Sequence, residues 1–133
     1  MLIDGRYLIV REIGAGGIGT IYLAQDQKLH AAPVVIKVLQ DRFQQSEHRI
    51  WLEKKFCGEI KALARINHHG VVHALDAGQL SDGRLYLVME FVSGVPLREV
   101  IPPDGMDPER IGRLIHQITQ ALGAAHEQGV IHR

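Results

Sequence analysis

The first ninety residues combine short apolar runs, which favour β-strands, with one longer stretch of helical periodicity. Residues 7–13, 20–26 and 33–39 are rich in Val, Ile, Leu and Tyr, and the glycine cluster between the first two runs predicts a hairpin. From residue 46 to 67 apolar side chains recur every three or four positions, which predicts an amphipathic helix with Ser46 as candidate N-cap. Two further strands are predicted within 71–78 and 84–92, joined by the turn "SDG".

The last forty residues read as helix. "SGVPLREV" predicts a short helix or turn, and Asp107 followed by Pro108 is a strong start signal for a long helix over 108–128. Gly129 stands where a left-handed C-cap belongs. Gly112 and Gly123 lie inside this helix and suggest close packing. The element order β-β-β-α-β-β-α-α predicts an α+β fold with a five-stranded antiparallel sheet.

Composition narrows the class of protein. The chain has 133 residues, of which 46% are hydrophobic and 23% charged, as expected for one globular domain, with disorder predicted only near 28–32 and 41–47. Because 15 basic residues balance 15 acidic ones, no nucleic acid or membrane surface is indicated as partner. The single Cys57 predicts a reducing compartment, and neither a secretory leader nor a membrane-spanning run is recognised, so we expect a cytoplasmic location.

The stretch "IGAGGIGTI" contains the pattern Gly14-x-Gly16-x-x-Gly19, which alone is weak evidence for phosphate binding. A plain flexible hairpin turn would also explain it. A dinucleotide-binding fold needs a helix directly after the glycines, and a strand is predicted here instead. A Walker-type loop needs Gly-Lys-Ser/Thr, which does not follow. The remaining reading is a glycine-rich hairpin over ATP, followed by a strand that carries a lysine.

Lys37 ends the motif "VVIK" in the third predicted strand. Its neighbours are all apolar, which predicts a strand buried on both faces, and a buried ammonium group needs an anion or a carboxylate. Glu47, Glu53 and Glu59 are the candidate partners on the next helix. Glu59 is preferred because it shares the face of Phe56 and its apolar neighbours, so we predict a Lys37–Glu59 pair that holds the ammonium where it can bind phosphate.

Together these motifs resemble the small lobe of a eukaryotic-type, bacterial-style serine/threonine protein kinase. "IGAGGIGTIYLAQD" resembles the glycine-rich loop, "VVIK" the strand motif V-A-I-K, and "EIKALARINHHGVV" the helix with the ion-pair glutamate and the turn H-P-N-I-V. "LYLVMEFVSGVPLREVI" resembles the strand that enters the hinge, and "HQITQALGAAHEQGVIHR" the helix that leads to the catalytic loop H-R-D. The resemblance implies a small lobe over residues 1–92 and the start of the large lobe over 93–133.

The resemblance also implies roles for individual residues. Lys37 and Glu59 would be the catalytic ion pair. Met89 would be the gatekeeper, Ile21 and Val35 would form the roof over adenine, and Glu90 and Val92, on either side of Phe91, would offer backbone groups to the adenine edge. Leu63, Leu75 and His132 would stack in the regulatory spine. The implied cofactors are ATP and Mg²⁺, and the implied nucleotide-binding set is Ile13, Gly14, Gly16, Gly19, Ile21, Val35, Lys37, Met89, Glu90 and Val92.

Some positions depart from the family pattern. Val35 replaces the usual alanine and is bulkier above the base, Ile21 replaces valine, and Ile18 stands where an aromatic residue is common at the loop tip. His68, His69 and His73 could suggest a metal site. The adjacent His68 and His69 diverge, however, and no cysteine or carboxylate completes a set nearby, so we assign no metal ligand and favour a structural role. Trp51 and Cys57 are expected to pack on the helix face, or, for Trp51, to make a partly exposed contact.

The sequence reaches His132 and Arg133 of H-R-D, and the catalytic Asp, the metal-binding Asn and D-F-G are not among its residues. We therefore expect an ATP-binding part of a kinase whose whole form phosphorylates protein Ser/Thr, and no phosphoryl transfer by this chain alone. The alternative is a catalytically inert, kinase-like interaction or regulatory module. The apolar face of the helix over 108–128 predicts association, such as a homodimer.

Overall fold

The computed structural model describes residues 1–16, 19–40 and 49–131, with the side chain of Arg49 left aside. The predictions for Ile18, Ser46, Glu47, His132 and Arg133, and the disorder predicted for residues 41–47, lie outside the described residues. No helix within those ranges is long and apolar enough to cross a membrane.

Within the described ranges the sheet has six strands, all antiparallel, in the spatial order β1-β2-β3-β4-β6-β5. The predicted α+β architecture is confirmed, but the predicted strand number of five was wrong. The additional strand, β1, is two residues long and pairs with the start of β2, which is too short a segment to show an alternating pattern. The strands are β1 Leu2–Ile3, β2 Tyr7–Ala15, β3 Gly19–Asp26, β4 Ala32–Leu39, β5 Ala74–Gln79 and β6 Leu85–Glu90.

The described part of the chain has three α-helices beside the sheet. They are α1 Arg49–Arg65, α2 Leu97–Val100 and α3 Pro108–Glu127. The predicted start of α3 is confirmed, because Asp107 accepts a hydrogen bond from the backbone N–H of Arg110. Gly129 adopts the left-handed conformation at φ 73° and donates to the His126 carbonyl, as expected for a C-cap.

A short 3₁₀ helix, Gln27–Leu29, connects β3 to β4, so the disorder predicted for residues 28–32 was wrong. Its cap is the buried carboxylate of Asp26, which accepts from the backbone N–H of Lys28 and pairs with Arg6. Arg6, whose hydrogen bond is the main cause, lowers the pKa of Asp26. Arg6 and Tyr7 also both contact the carboxylate of Asp76 in β5. These contacts between distant segments fix the curl of the sheet.

The core divides into two layers, one on each face of the sheet. Val34, Ile36 and Val38 of β4 point into one layer, with Tyr7 and Tyr86. Successive residues of a strand alternate between faces, so Val35, Lys37 and Leu39 point to the other. On that second face α1 packs its Phe56 against Leu39 of β4 and Leu87 of β6.

The prediction that β4 is buried on both faces holds for only part of the strand. Leu39 is buried beneath α1, but Val35 and Lys37 are only partly buried. Helix α1 covers one end of the face and leaves the other uncovered. The uncovered end is where the candidate site lies.

Helix α3 exposes most of its apolar stripe. Ala125 is the one buried residue of α3, and Ile111, Ile115, Ile118 and Leu122 are exposed. A side chain added at Gly112 or Gly123 would meet no described atom within 4 Å, so the close packing suggested for these glycines was wrong. Association through 108–128 stays a prediction.

Candidate functional site

The ion pair predicted from the sequence is confirmed. The Nζ of Lys37 in β4 donates to both carboxylate oxygens of Glu59 in α1, at 2.8 and 2.9 Å. The Lys37 side chain is 16% exposed and that of Glu59 is 37% exposed, so the pair lies at the margin of the core. Both groups therefore remain within reach of a solvent-borne ligand.

Packing of α1 determines which glutamate reaches Lys37. Phe56 is fully buried against the sheet, and Ile60 and Leu63 pack around the same cluster. Glu59 is one turn beyond Phe56, at the edge of that apolar stripe, which directs its carboxylate to the sheet. The preference for Glu59 over Glu53 was correct, while Glu47 is outside the described residues.

The residues predicted to form the roof lie on the same face of the sheet as Lys37. In the register of the ladders, Ile21 of β3 lies opposite Lys37, and Val35 lies opposite Met89 of β6. Directly opposite residues share a face, and so do residues two apart in one strand. The fold thus brings Ile21, Val35, Lys37 and Met89 together as one partly buried surface. Ile13, in β2 beside a bulge, is exposed at the rim.

The three glycines of the hairpin have different surroundings. Gly14 has no described atom within 4 Å of the place where a Cβ would be, and at Gly16 the nearest is the Gly19 carbonyl oxygen at 3.8 Å. A Cβ at Gly19 would lie 2.7 Å from the Val38 backbone oxygen and 3.4 Å from the Lys37 Cγ. Gly19 is therefore required for the close approach of β3 to β4, whereas Gly14 and Gly16 leave open space above the site.

The segment after β6 presents backbone groups and little side-chain chemistry. Val92 is 63% exposed, and within the described residues its backbone N–H has no hydrogen-bond partner. The backbone N–H of Glu90 donates to the His73 carbonyl, so this N–H is not available to a ligand. These observations fit a segment that recognises a flat polar edge through main-chain atoms.

The side chain of Glu90 has a partner that the sequence did not reveal. Its Oε1 lies 2.8 Å from both the backbone N and the Nδ1 of His73, just before β5. The backbone hydrogen bond from His73 is the largest cause of a lowered Glu90 pKa, and the side-chain contact adds to it. Since the two residues are far apart in the chain and both lie near strand ends, no periodicity signal marks the pair.

One spine prediction was wrong. Leu75 is 55% exposed, and its neighbour Ala74 packs beside Leu63 in the cluster under α1. The strand begins at Ala74 with a bulge, and the alternation along it places residue 74 on the inner side. The sequence alone did not indicate where this alternation begins.

The paired histidines have a structural contact. The Nδ1 of His68 accepts from the backbone N–H of Gly70, and the rings of His68 and His69 stack with centroids 4.4 Å apart. A Cβ on Gly70 would lie 3.1 Å from the Cβ of Ala121, so this turn approaches α3 closely. Across residues 1–16, 19–40 and 49–131, no three His, Cys, Asp or Glu side chains are grouped as a metal site.

Comparison with known proteins assigns the family. The family described as "Protein kinase domain" matches residues 7–133. Serine/threonine-protein kinase pkn2 of Myxococcus xanthus is 35% identical over 100% of this chain and 15% of its own length. PknL of Mycobacterium tuberculosis is 36% identical over 99% of this chain, which covers 32% of PknL. PrkC of Bacillus subtilis is 35% identical over 98% of this chain, which covers 20% of PrkC. The chain thus spans a third or less of these relatives, each of which is named a serine/threonine-protein kinase, and it belongs to the protein kinase family.

Proposed function

We propose that this chain is the ATP-binding part of a serine/threonine protein kinase, whose whole form transfers the γ-phosphoryl group of ATP to Ser or Thr of a protein. The observation that carries the proposal is the bidentate Lys37–Glu59 pair at the margin of the core, beside a glycine hairpin. An ammonium group held by a carboxylate at one position is suited to contact phosphate oxygens.

The described residues fit the nucleotide in three ways. Lys37 would hold phosphate oxygens and Glu59 would keep its ammonium in place. The open space at Gly14 and Gly16 would allow backbone N–H groups to approach the phosphates. The backbone N–H of Val92 and the carbonyl of Glu90 would face the adenine edge, with Ile21 and Val35 against the base.

Bound ATP supplies the transferable phosphoryl group, and Mg²⁺ would neutralise part of its charge. The 133 residues include no D-F-G aspartate and no catalytic-loop asparagine, which are the metal ligands that the family uses. For this reason we assign no Mg²⁺ ligand to any described residue. We expect the 133 residues by themselves to bind MgATP weakly and to transfer no phosphoryl group.

Titration calorimetry with MgATP tests the proposal. We expect heat from the wild-type chain, and little or none from Lys37→Ala, because the ammonium contact to phosphate is lost. Lys28→Ala is the matched control, since it removes an exposed lysine from the 3₁₀ helix away from the site. Circular dichroism confirms that each variant is folded.

Equal heats from the wild-type chain and Lys37→Ala would contradict a lysine-held phosphate. No heat from the wild-type chain at millimolar MgATP would contradict nucleotide binding and favour the alternative, an inert kinase-like interaction module. A cytoplasmic location and a homodimer through 108–128 remain further proposals. A clean monomer in sedimentation at high protein concentration would contradict the dimer.

A further inference from the structure

The outward side of α1 carries a cluster of positive charge. Lys54, Lys55, Lys61 and Arg65 are all exposed. At about 100° of rotation per residue they occupy the same half of the helix. We call the surface formed by Ile50, Trp51, Lys54, Lys55, Lys61 and Arg65 the basic face.

No acidic residue of α1 lies on the basic face. The helix contains two glutamates, Glu53 and Glu59, and both fall on the other half of the helical circumference. Glu59 is engaged by Lys37 on the sheet side. The charge of the basic face is therefore not balanced along the helix, although the whole chain has a formal net charge of zero.

Within residues 1–16, 19–40 and 49–131, the four cations make no internal ion pair. Among the described residues, the salt bridges join Arg6, Lys37, His73, Arg84 and Arg113 to carboxylates, and none joins a cation of the basic face. The one contact on the face itself is a cation–π contact, in which the Lys55 Nζ lies 5.0 Å from the centroid of the Trp51 ring.

Two large apolar side chains lie at the N-terminal end of the basic face. Ile50 is 65% exposed and Trp51 is 58% exposed. Tryptophan is enriched in protein interfaces and is a frequent energetic hot spot there. Trp51 is bordered by lysines that have no carboxylate partner in the described part of the chain. This end of the face therefore offers a partner both an apolar anchor and positive charge.

We propose that the basic face docks a carboxylate-rich segment of a partner protein, with an apolar side chain of that segment resting on Ile50 and Trp51. The positive charge of the face requires a negatively charged partner segment. Ile50 and Trp51 determine where the apolar side chain of that segment rests. The face extends over residues 50–65, about 22 Å at 1.5 Å per residue, which an extended segment of about seven residues would cover.

The composition of the face favours a protein segment rich in Asp and Glu over other polyanions. Three of the four cations are lysines, which act as point charges, whereas planar bidentate recognition of phosphate is the particular strength of arginine. A helix that lies on a membrane needs a broad apolar face, and only two apolar residues border the charges here. The zero net charge of the chain lacks the overall basic excess of nucleic-acid-binding domains.

Fluorescence anisotropy with a labelled synthetic peptide of about ten residues tests the proposal. The peptide consists of Asp and Glu with one central Leu, and a second peptide replaces the acids with Asn and Gln. Because Trp51 is the only tryptophan in the chain, its emission reports directly on the proposed anchor position. We expect the acidic peptide to bind and to change that emission, and the neutral peptide to do neither.

Charge reversal on the face supplies the decisive comparison. The double variant Lys54→Glu/Lys61→Glu should weaken peptide binding by about tenfold or more, since it removes two attractions and adds two repulsions. Lys28→Glu, on an exposed lysine elsewhere, should leave the affinity within about twofold. Raising the salt concentration from about 0.05 to about 0.3 M should weaken binding of the wild-type chain.

Three outcomes would overturn the proposal: equal binding of the acidic and neutral peptides, equal losses from the Lys28 and the Lys54/Lys61 variants, or unchanged Trp51 emission on binding. Duplex DNA and phosphatidylserine vesicles serve as competing polyanions. If either binds more tightly than the acidic peptide, through the same lysines, the face recognises another class of partner. None of the substituted residues belongs to the nucleotide site, so MgATP binding by the variants is an independent check of folding.

Discussion

Replacing Gly19 by alanine tests whether this glycine is needed for the close approach of β3 to β4 or only for access of the backbone to phosphate. A Cβ at this position would lie 2.7 Å from the Val38 backbone oxygen, and contacts under 3.0 Å are essentially never seen for real Cβ atoms. Val38 belongs to β4, which is held on one side by β3 and on the other by β6. The oxygen cannot move aside as a flexible side chain would, so the β3–β4 pair must widen.

The expected loss of stability follows from two opposing effects. Overpacking of this kind costs about 1–3 kcal/mol. Alanine recovers about 0.5–1 kcal/mol by restricting the unfolded backbone more than glycine does. We therefore expect Gly19→Ala to lower the free energy of unfolding by about 1–2 kcal/mol.

Urea unfolding followed by circular dichroism measures this difference, with Gly14→Ala as the matched control. A Cβ at Gly14 would meet nothing within 4 Å, so the control should be as stable as the wild-type chain or slightly more stable. Gly14→Ala should reduce MgATP affinity if that glycine serves the approach to phosphate. Equal stability of the two variants would refute the close-packing role of Gly19.

Measuring the effect of Gly19→Ala in a chain that also carries Lys37→Ala shows which atoms conflict with the added Cβ. In a Lys37→Ala chain the Lys37 Cγ, 3.4 Å from the added Cβ, is gone, but the contact with the Val38 oxygen remains. The cost of Gly19→Ala should therefore persist almost unchanged in that background. If it disappears, the steric conflict is with the lysine side chain and not with the backbone of β4.

Three further predictions concern stability. Phe56→Ala should lower the free energy of unfolding by about 3–5 kcal/mol in urea, since Phe56 is fully buried between α1 and the sheet. Trp51→Ala should change the free energy of unfolding by less than about 0.5 kcal/mol, because Trp51 is exposed. Because Arg6 lowers the pKa of Asp26, the pair stabilises the fold above the ordinary carboxyl pKa of about 4, and this contribution is lost as pH falls through the lowered value. The urea midpoint should therefore fall between pH 5 and pH 2 by less in Asp26→Asn than in the wild-type chain. Gly112→Ala should raise the free energy of unfolding by about 1 kcal/mol, because the position is an open site within a helix; an unchanged midpoint would contradict this.

Local signals predicted the elements well where they were strong. Asp107 and Pro108 defined the start of α3, and the three- to four-residue spacing around Phe56 identified both α1 and the glutamate that pairs with Lys37. Sequence signals were weak where a segment was short or where the sequence did not indicate which residues of a strand face inward. The two residues of β1 and the phase of alternation at Leu75 are such cases, because neither segment contains enough positions to define a period.

Several other contacts between distant residues could not be read from the chain. The Glu90–His73 contact and the network that joins Arg6 to Asp26 and Asp76 depend on how strands curl and pair, and such pairing leaves no local pattern in sequence. The six-stranded order, with β6 between β4 and β5, is of the same kind.

By itself, the sequence determined the family resemblance, the element types and the identity of the Lys37–Glu59 pair, because each depends on residue type and short-range spacing. Only the tertiary structure decided that Gly19 serves the approach of β3 to β4 while Gly14 stays open. It also decided that β4 is open on one side at Val35 and Lys37, and that α1 turns four cations and a tryptophan away from the sheet. These features depend on which surfaces the packing covers, and coverage is a property of the whole fold.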